Sequence, residues 1–446
     1  MKARSTNINM TEGRPILLLL YFSLPLFIGN LFQQAYNMAD SVIVGRLLGA
    51  DSFAAVGATN SVSFLFFSVC NGIGSGGGII TSQFFGGGSI EKVKKAITNS
   101  AYLMLGVAAV MGAVAFFASP LVLTLIGTPE EIMSEAVIYM RVSCVGVPMI
   151  ALYNYASSML RALGDSKVPL YFLIFACCLN VILDLLFVGS FGMGVFGAAL
   201  ATALSQLVSG LGCLVYAFLT NPCFRLNRSH FAFDRNIFFG AARLGVPLAL
   251  QWSLIAVSTT ALQRVVNSFG TSAVAAFTAT SRIEMLAHQP FGSLGTALST
   301  YAGQNYGAGR IDRVKSGLKE SGILMTAFTL LIWGLMQLFG TQMIGIFVTD
   351  AEVIRLGGEA LRLTSWFYFF LGVIYIIRGT LNGVGDALFS LINGIIEVIC
   401  RIGLPPILLM IPAVGVWGIW WTAALTWFIS AIFCALRYAA WRKKVR

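Results

Sequence analysis

The sequence predicts an all-α integral membrane protein, with twelve transmembrane helices arranged as two parallel six-helix repeats. Three observations predict it. Hydrophobic residues make up 57% of the 446 positions and charged residues only 11%, against roughly 25% charged in a soluble domain. So little charge could not cover a water-facing globule, whereas a lipid-facing surface must be apolar. Apolar runs of bilayer-spanning length recur along the chain, and the second half repeats the first at one fixed offset.

A transmembrane helix needs about 20 mainly apolar residues. In the first half such runs fall at 16–44, 52–80, 96–118, 133–158, 168–189 and 195–219. In the second they fall at 243–268, 273–300, 318–340, 354–378, 389–410 and 416–438. Pro25 and Pro247 lie in the first span of each half, where a missing amide allows a bend.

Orientation follows from Lys and Arg. The stretch from Met1 to Arg14 is polar and basic, and the apolar run after it outlasts a signal-peptide core without a small-residue cleavage site. It reads as a cytoplasmic lead-in. The inward set is Lys2, Arg4, Arg14, Lys92, Lys94, Lys95, Arg161 and Lys167, then Arg225, Arg228, Arg235, Arg243, Arg310, Arg313, Lys315 and Lys319. Arg378 and the tail residues Arg437, Arg442, Lys443, Lys444 and Arg446 complete it. The alternate loops hold mainly Arg46 and Arg355, and one carries Glu130, Glu131 and Glu135. Both termini are then cytoplasmic, in a multi-pass protein of the cell (inner, plasma) membrane. The same bias accounts for the net charge of +11 without nucleic acid. The eight cysteines sit almost entirely in apolar runs without ligand spacing, so they read as small hydrophobes; with two histidines, they argue against a metalloenzyme.

The halves superpose at one shift. Gln83 and Gly86 match Gln304 and Gly307, and 304 − 83 = 221. At that offset Ile90-Glu91-Lys92-Val93-Lys94 meets Ile311-Asp312-Arg313-Val314-Lys315, and Gly164-Asp165 meets Gly385-Asp386. Gly194-Val195 with Gly197 meets Gly415-Val416 with Gly418, and Glu131 and Arg141 meet Glu352 and Arg362. The predicted lobes are 1–220 and 221–446. Six spans per half is an even number, so the repeats are parallel, related by an axis along the membrane normal. Two such lobes enclose a cavity and can rock to alternate its access, which points to transport more than to catalysis. The matched Gln/Gly and Gly-Asp segments read as tight turns between spans, with a gating contact as the alternative.

Several segments together resemble the multidrug and toxic compound extrusion (MATE) family. They are Asn37-Met38-Ala39-Asp40, Val44-Gly45-Arg46-Leu47-Leu48-Gly49, Ala54-Ala55-Val56-Gly57 and the glycine-rich Gly72 to Gly78. Ser82-Gln83-Phe84-Phe85-Gly86, Arg161-Ala162-Leu163-Gly164-Asp165 and Gly303-Gln304-Asn305-Tyr306-Gly307 complete the set. Each is weak alone; together, in order over nearly the whole chain, they are specific. The resemblance implies a V-shaped, two-lobed exporter that exchanges organic, often cationic, solutes for protons or sodium ions.

Ionisable side chains at membrane depth are costly and need a reason. In the first half these are Asp40 on span one and Asp184 on span five, with Asn180 four residues before Asp184 on the same helix face. At 1.5 Å per residue, Asp40 lies ~9–14 Å inside the outer break near Arg46 to Gly49, Asp184 ~8 Å inside its own, and Thr202 ~10 Å from the outer start of span six. All four converge on one layer in the outer half of the first lobe. Two carboxylates, a carboxamide oxygen and a hydroxyl can bind a small hard cation, and the carboxylates can equally bind a proton. In one prokaryotic MATE branch the corresponding residues form the coupling-cation site, and all four residue types are present here. The alternative is structural: Asp184 hydrogen-bonds neighbouring helices and holds the lobe together. Gln33, Asn37 and Asp40 share a helical face; with Tyr36 they are candidates for the substrate cavity.

The second half does not copy this set. Asp40 becomes Ala261 (40 + 221), Asn180 becomes Arg401 and Asp184 becomes Pro405. It holds Arg264, Arg282, Glu284, His288, Glu397 and Arg401 instead. Glu397 and Arg401, four apart, can pair directly; Arg282 and Glu284 flank one turn of span eight and are further cavity candidates. Such pairs either fix helix packing or meet a cationic substrate or a second proton.

The reading is a secondary antiporter, not an enzyme, with no cofactor beyond its coupling ion, H⁺ or Na⁺. Its expected partners are a cationic, amphipathic organic solute and membrane lipid, and it is expected to be a monomer. No G-x-x-x-x-G-K-[ST] motif is present to bind nucleotide. The alternative is a lipid-linked precursor flippase of related two-lobed architecture, for which Arg264, Arg282 and Arg401 would supply a cationic cavity. An intramembrane enzyme would need a paired acid site or an activated nucleophile, and the unpaired His288 offers neither.

Overall fold

In the computed structural model, residues 8–445 are described; the side chains of Ala256 and Val257 are left aside. Lys2, Arg4 and Arg446 of the inward-charge set lie outside the described residues. Among these residues the chain is helical throughout, with no strand. The first half runs α1 (Pro15–Leu48), α2 (Ala50–Ala58), α3 (Asn60–Gly86), α4 (Ile90–Leu125), α5 (Glu130–Ala162), α6 (Lys167–Asp184) and α7 (Gly194–Thr220). The second runs α8 (Arg235–Asn267), α9 (Thr271–Gly307), α10 (Ile311–Gly345), α11 (Ala351–Ser365), α12 (Tyr368–Gly383), α13 (Ala387–Leu409) and α14 (Gly418–Lys444).

Every predicted span falls on helix. Among the described residues ten helical segments are long and apolar enough to cross a membrane, and α11 with α12, bent by 51°, make an eleventh. The predicted span 273–300 is α9, a 37-residue helix that Arg282, Glu284, His288 and Gln289 make too polar to qualify by composition. The run 52–80 is broken at Thr59, whose hydroxyl turns back onto the Val56 carbonyl at 2.8 Å. Such local side-chain bonds compete with the helix ladder. Nothing in the hydropathy marks that break.

The repeat is visible in the backbone. Gly49 and Gly270 precede α2 and α9 with φ of 88° and 87°, and Gly164 and Gly385 follow α5 and α12 with φ of 90° and 94°. Each pair is 221 apart, and each needs a conformation that a side chain would strain.

Cα proximity divides the chain into two compact units. Among the described residues one is Ile28–Leu250 with residues 8–9; the other is Met10–Phe27 with residues 251–445. Each first helix therefore contributes its leading part to one unit and its remainder to the other, changing membership just after Pro25 in α1 and Pro247 in α8. In the first unit α5 packs between α4 and α7, over a core that includes Phe66, Met104, Met140 and Met159. In the second, α9 packs along α12. Lipid gives helices no hydrophobic reason to associate, so close approach through small residues carries the packing. A Cβ on Gly379 would strike the Gly295 backbone, and one on Gly112 would meet the Cys144 carbonyl at 2.8 Å.

Candidate functional site

In the first unit, α6 ends at Asp184 and continues as a π-helical turn, Leu185–Ser190. A π turn carries an extra residue and shifts the helix face where it begins. Asp184 stands at that shift, fully buried, with Asn180 one turn earlier and 1% exposed. Burial on this face follows from the apolar neighbours: Val44, Val188 and Ala198 pack together there, with Leu48, Val56 and Tyr139 against them.

Four predicted residues meet here. The Asp40 side chain of α1 comes within reach of that of Asp184, and Oδ1 of each carboxyl is buried without a hydrogen-bond partner. With its amide nitrogen toward the carboxylate, Asn180 donates to Asp184 Oδ2 at 2.8 Å and accepts the Thr202 N–H at 3.1 Å. The reverse orientation leaves only a 3.4 Å contact from Nδ2 to Thr202 Oγ1, so the first satisfies more polar atoms. Thr202 Oγ1 lies 3.4 Å from Tyr36 Oη. A hydrogen bond between two carboxyl groups needs a proton on one of them. The same oxygens, with the amide and hydroxyl, also form a hard donor set. Among the described residues no three His, Cys, Asp or Glu side chains are placed to hold a metal together. A cation here would rest on two carboxylates and neutral oxygens.

Gln33 and Tyr36 line a narrow cleft that opens beside the cluster, with Asn180, Ser205 and Gln206 on its other wall. Asn37 is exposed, and its carbonyl accepts Ser41 Oγ at 2.9 Å. Tyr139 of α5 was not singled out by sequence. It is half-buried and within electrostatic range of both Asp40 and Asp184. Its position 41 residues upstream of Asn180 (180 − 139) gave no spacing signal.

In the second unit the two cavity candidates part. Arg282 and Glu284 are two residues apart, about 200° around a helix; Arg282 is exposed while Glu284 is half-buried. Glu284 comes within reach of Thr364 and Arg401. Its Oε1, the Thr364 and Tyr368 hydroxyls and His288 Nε2 are buried without a hydrogen-bond partner. The His288 ring stands 6.1 Å from Tyr368 and 5.6 Å from Trp427, edge-on to both.

Glu397 pairs differently from the sequence expectation. Its closest partner is Arg378, at 3.0 Å, while Arg401 is 4.0 Å away and donates to Ser258 Oγ at 2.9 Å. Arg378, counted with the inward loops, is buried within α12. An arginine with an acid partner on a neighbouring span can be held inside the protein in this way.

The MatE family model matches residues 25–186 and again 247–407, one match per repeat. The probable multidrug resistance protein YpnP of Bacillus subtilis is 31% identical over 390 residues, covering 87% of each chain. An FAD transporter of Shewanella oneidensis is 27% identical over 453 aligned positions, covering 97% of this chain and 96% of that one. A solved MOP superfamily transporter from Pyrococcus furiosus, described for the reversed polarity of its binding pocket, superposes with a TM-score of 0.90 at 25% identity. It covers 99% of this chain and 98% of its own.

Proposed function

This chain belongs to the MatE family of transporters, and from that premise we propose that it is a secondary antiporter that exports organic cations in exchange for H⁺ or Na⁺. The observation that carries this reading is the approach of half-buried Asp40 to fully buried Asp184. A proton shared by the two carboxyl groups, or a cation held by them with Asn180 and Thr202, neutralises charge that would otherwise be stranded. An organic cation drawn to the same carboxylates competes for that charge, and competition for one charge is what couples opposite fluxes. Gln33 and Tyr36 place hydrogen-bonding groups beside it. The termini and the loops bearing Lys94, Arg228 and Lys315 lie on the cytoplasmic side in this reading.

The multidrug resistance of the Bacillus relative supports export of varied organic solutes, while the Shewanella relative carries a flavin dinucleotide, which is anionic. The charge of the cargo is therefore part of the test. The flippase alternative draws little support from the second unit: of its three arginines Arg401 turns to Ser258 and Glu397, while Arg264 and Arg282 are exposed.

The test is purified protein in liposomes, with a pH or sodium gradient imposed and tetraphenylphosphonium or FAD as cargo. Gradient-driven movement of the cation is expected. Movement indifferent to both gradients overturns antiport, and preference for FAD overturns the cationic cargo.

A further inference from the structure

Two short segments that lead into the first helix of each repeat are fastened in matching ways. In the second unit, Met10 is fully buried. Its N–H donates to Gln304 Oε1 at 2.9 Å, and its carbonyl accepts Asn305 Nδ2 at 3.0 Å and Arg313 Nη2 at 3.2 Å. Arg310 donates to the Thr11 carbonyl at 2.6 Å, and Arg313 also to the Gly13 carbonyl at 3.0 Å. The Ile16 N–H, in the first turn of α1, donates to Glu320 Oε2 at 2.6 Å. Side chains from the end of α9 and the start of α10 thus satisfy the backbone of a segment with no regular structure of its own.

In the first unit the segment before α8 is held alike. The carbonyls of His230, Phe231 and Ala232 accept Thr98 Oγ1 at 2.6 Å, Tyr102 Oη at 2.8 Å and Asn99 Nδ2 at 3.3 Å. Asn99 Oδ1 accepts the Asp234 N–H at 2.9 Å, and the His230 ring meets Glu91 Oε2 at 2.7 Å. Phe231 is the repeat counterpart of Met10, and Glu320 of Asn99 (231 − 10 = 320 − 99 = 221). The residue types differ, yet both receptors accept a backbone N–H near the start of the incoming helix. Matching function through unlike side chains argues that the fastening is what both repeats require.

The part of α8 that follows its strap is firmly seated as well. Gly72 and Gly76 of α3 lie against the backbone of Ala249 and Gly245, with no space for a Cβ at either glycine. The changes of unit membership fall beyond this seat, at Leu250–Gln251 in α8 and at Phe27–Ile28 in α1. They follow Pro247 and Pro25 by less than one helical turn.

We propose that the segments Met10–Gly13 and His230–Asp234 are paired straps that stay docked throughout the transport cycle, confining the bending of α1 and α8 to the turn after each proline. The proposal rests on the transport reading but not on its coupling ion or cargo. Gln304 and Asn305 at one strap and Thr98 and Asn99 at the other are buried, so the backbone groups they satisfy have no water partner to take over when they leave. Each proline leaves the carbonyl four residues before it, Tyr21 and Arg243, without a ladder partner, which loosens the helix leading into the assigned bend.

Hydrogen exchange on the full chain in lipid nanodiscs tests this, in acidic and alkaline buffer, with and without tetraphenylphosphonium. The expected result is constant protection of both straps in every condition, with exchange changing only over residues 25–28 and 247–251. Strap protection that falls in any condition overturns the proposal, and so does a constant pattern at the two proline turns. Asn305→Ala should raise exchange at Met10–Gly13 by about tenfold, the order that one lost hydrogen bond gives. Glu320→Gln, which keeps an acceptor, should leave it unchanged. Equal exchange in both variants also sinks the assignment. Failure of gradient coupling in liposomes would not alter these patterns, so the two readings fail separately.

Discussion

Arg378 Nη1 donates to Glu397 Oε1 at 3.0 Å and to Asn393 Oδ1 at 3.2 Å, joining α12 to α13 inside the second unit. Both charges are buried, and Arg401 stands at 4.0 Å as a second, looser partner of the same carboxylate. Removing one member of a buried pair strands the other, at a cost of about 3–5 kcal/mol, whereas removing both costs far less. Glu397→Gln should therefore lower thermal stability in detergent sharply, and adding Arg378→Gln should restore most of it. Equal losses in the single and double variants would show that the pair is not coupled.

Asp40→Asn and Asp184→Asn should each bring gradient-driven transport to background while leaving membrane insertion and melting temperature nearly unchanged. An amide keeps the volume of the carboxyl group but cannot release a proton or neutralise a cation. Full gradient-driven flux in either variant removes that residue from coupling.

Tyr139→Phe keeps the ring that packs with Val44, Val188 and Ala198 but removes a hydroxyl within electrostatic range of the aspartates. A hydroxyl serving only packing contributes little here. One that serves the ion site should weaken apparent affinity for the coupling ion by about three- to tenfold, the order of one net hydrogen bond. The concentration dependence of transport on the coupling ion is the measurement, and an unchanged curve returns Tyr139 to packing.

Gly76→Ala places a methyl group against the Gly245 backbone. It should destabilise the protein by about 1–3 kcal/mol, as overpacking does. Gly106→Ala, at a position with nothing within 4 Å, should be neutral. The two melting curves side by side decide the matter.

Cysteines introduced at Lys94, Arg228, Lys315 and Lys443 should label from the cytoplasmic side, and those at Glu131 and Asp350 from outside. External labelling of the first four would reverse the positive-inside assignment.

The repeat and the spans were legible because hydropathy and loop glycines are properties of the chain itself, as the paired φ angles of Gly49 and Gly270 illustrate. Asp40, Asn180, Asp184 and Thr202 were legible because charge at depth is rare and helix spacing sets its height. Tyr139 was not, since a tyrosine in an apolar span fits packing equally well and nothing in sequence brings α5 to α6. The pairing of Arg378 was not legible for a related reason: its acid partner lies 19 residues away on another helix. The break at Thr59 and the exchange of lead-in segments between units depend on tertiary contacts that no local pattern encodes.

The fastening of Met10 to Gln304 spans 294 residues of chain. A ribosome working at about 5–20 residues per second needs ~15–60 s to make that stretch. During synthesis the start of α1 is therefore inserted long before its receptor exists, and the segment must wait undocked. The first repeat has no such delay, because Thr98 and Asn99 are already made when His230 and Ala232 emerge. Assembly of the two units is consequently ordered in time, the first closing on its borrowed segment while the second still lacks the residues that will receive Met10. Coding the halves as separate polypeptides cut at residue 220 would leave each without its borrowed segment, and only co-translation in one membrane would give them back.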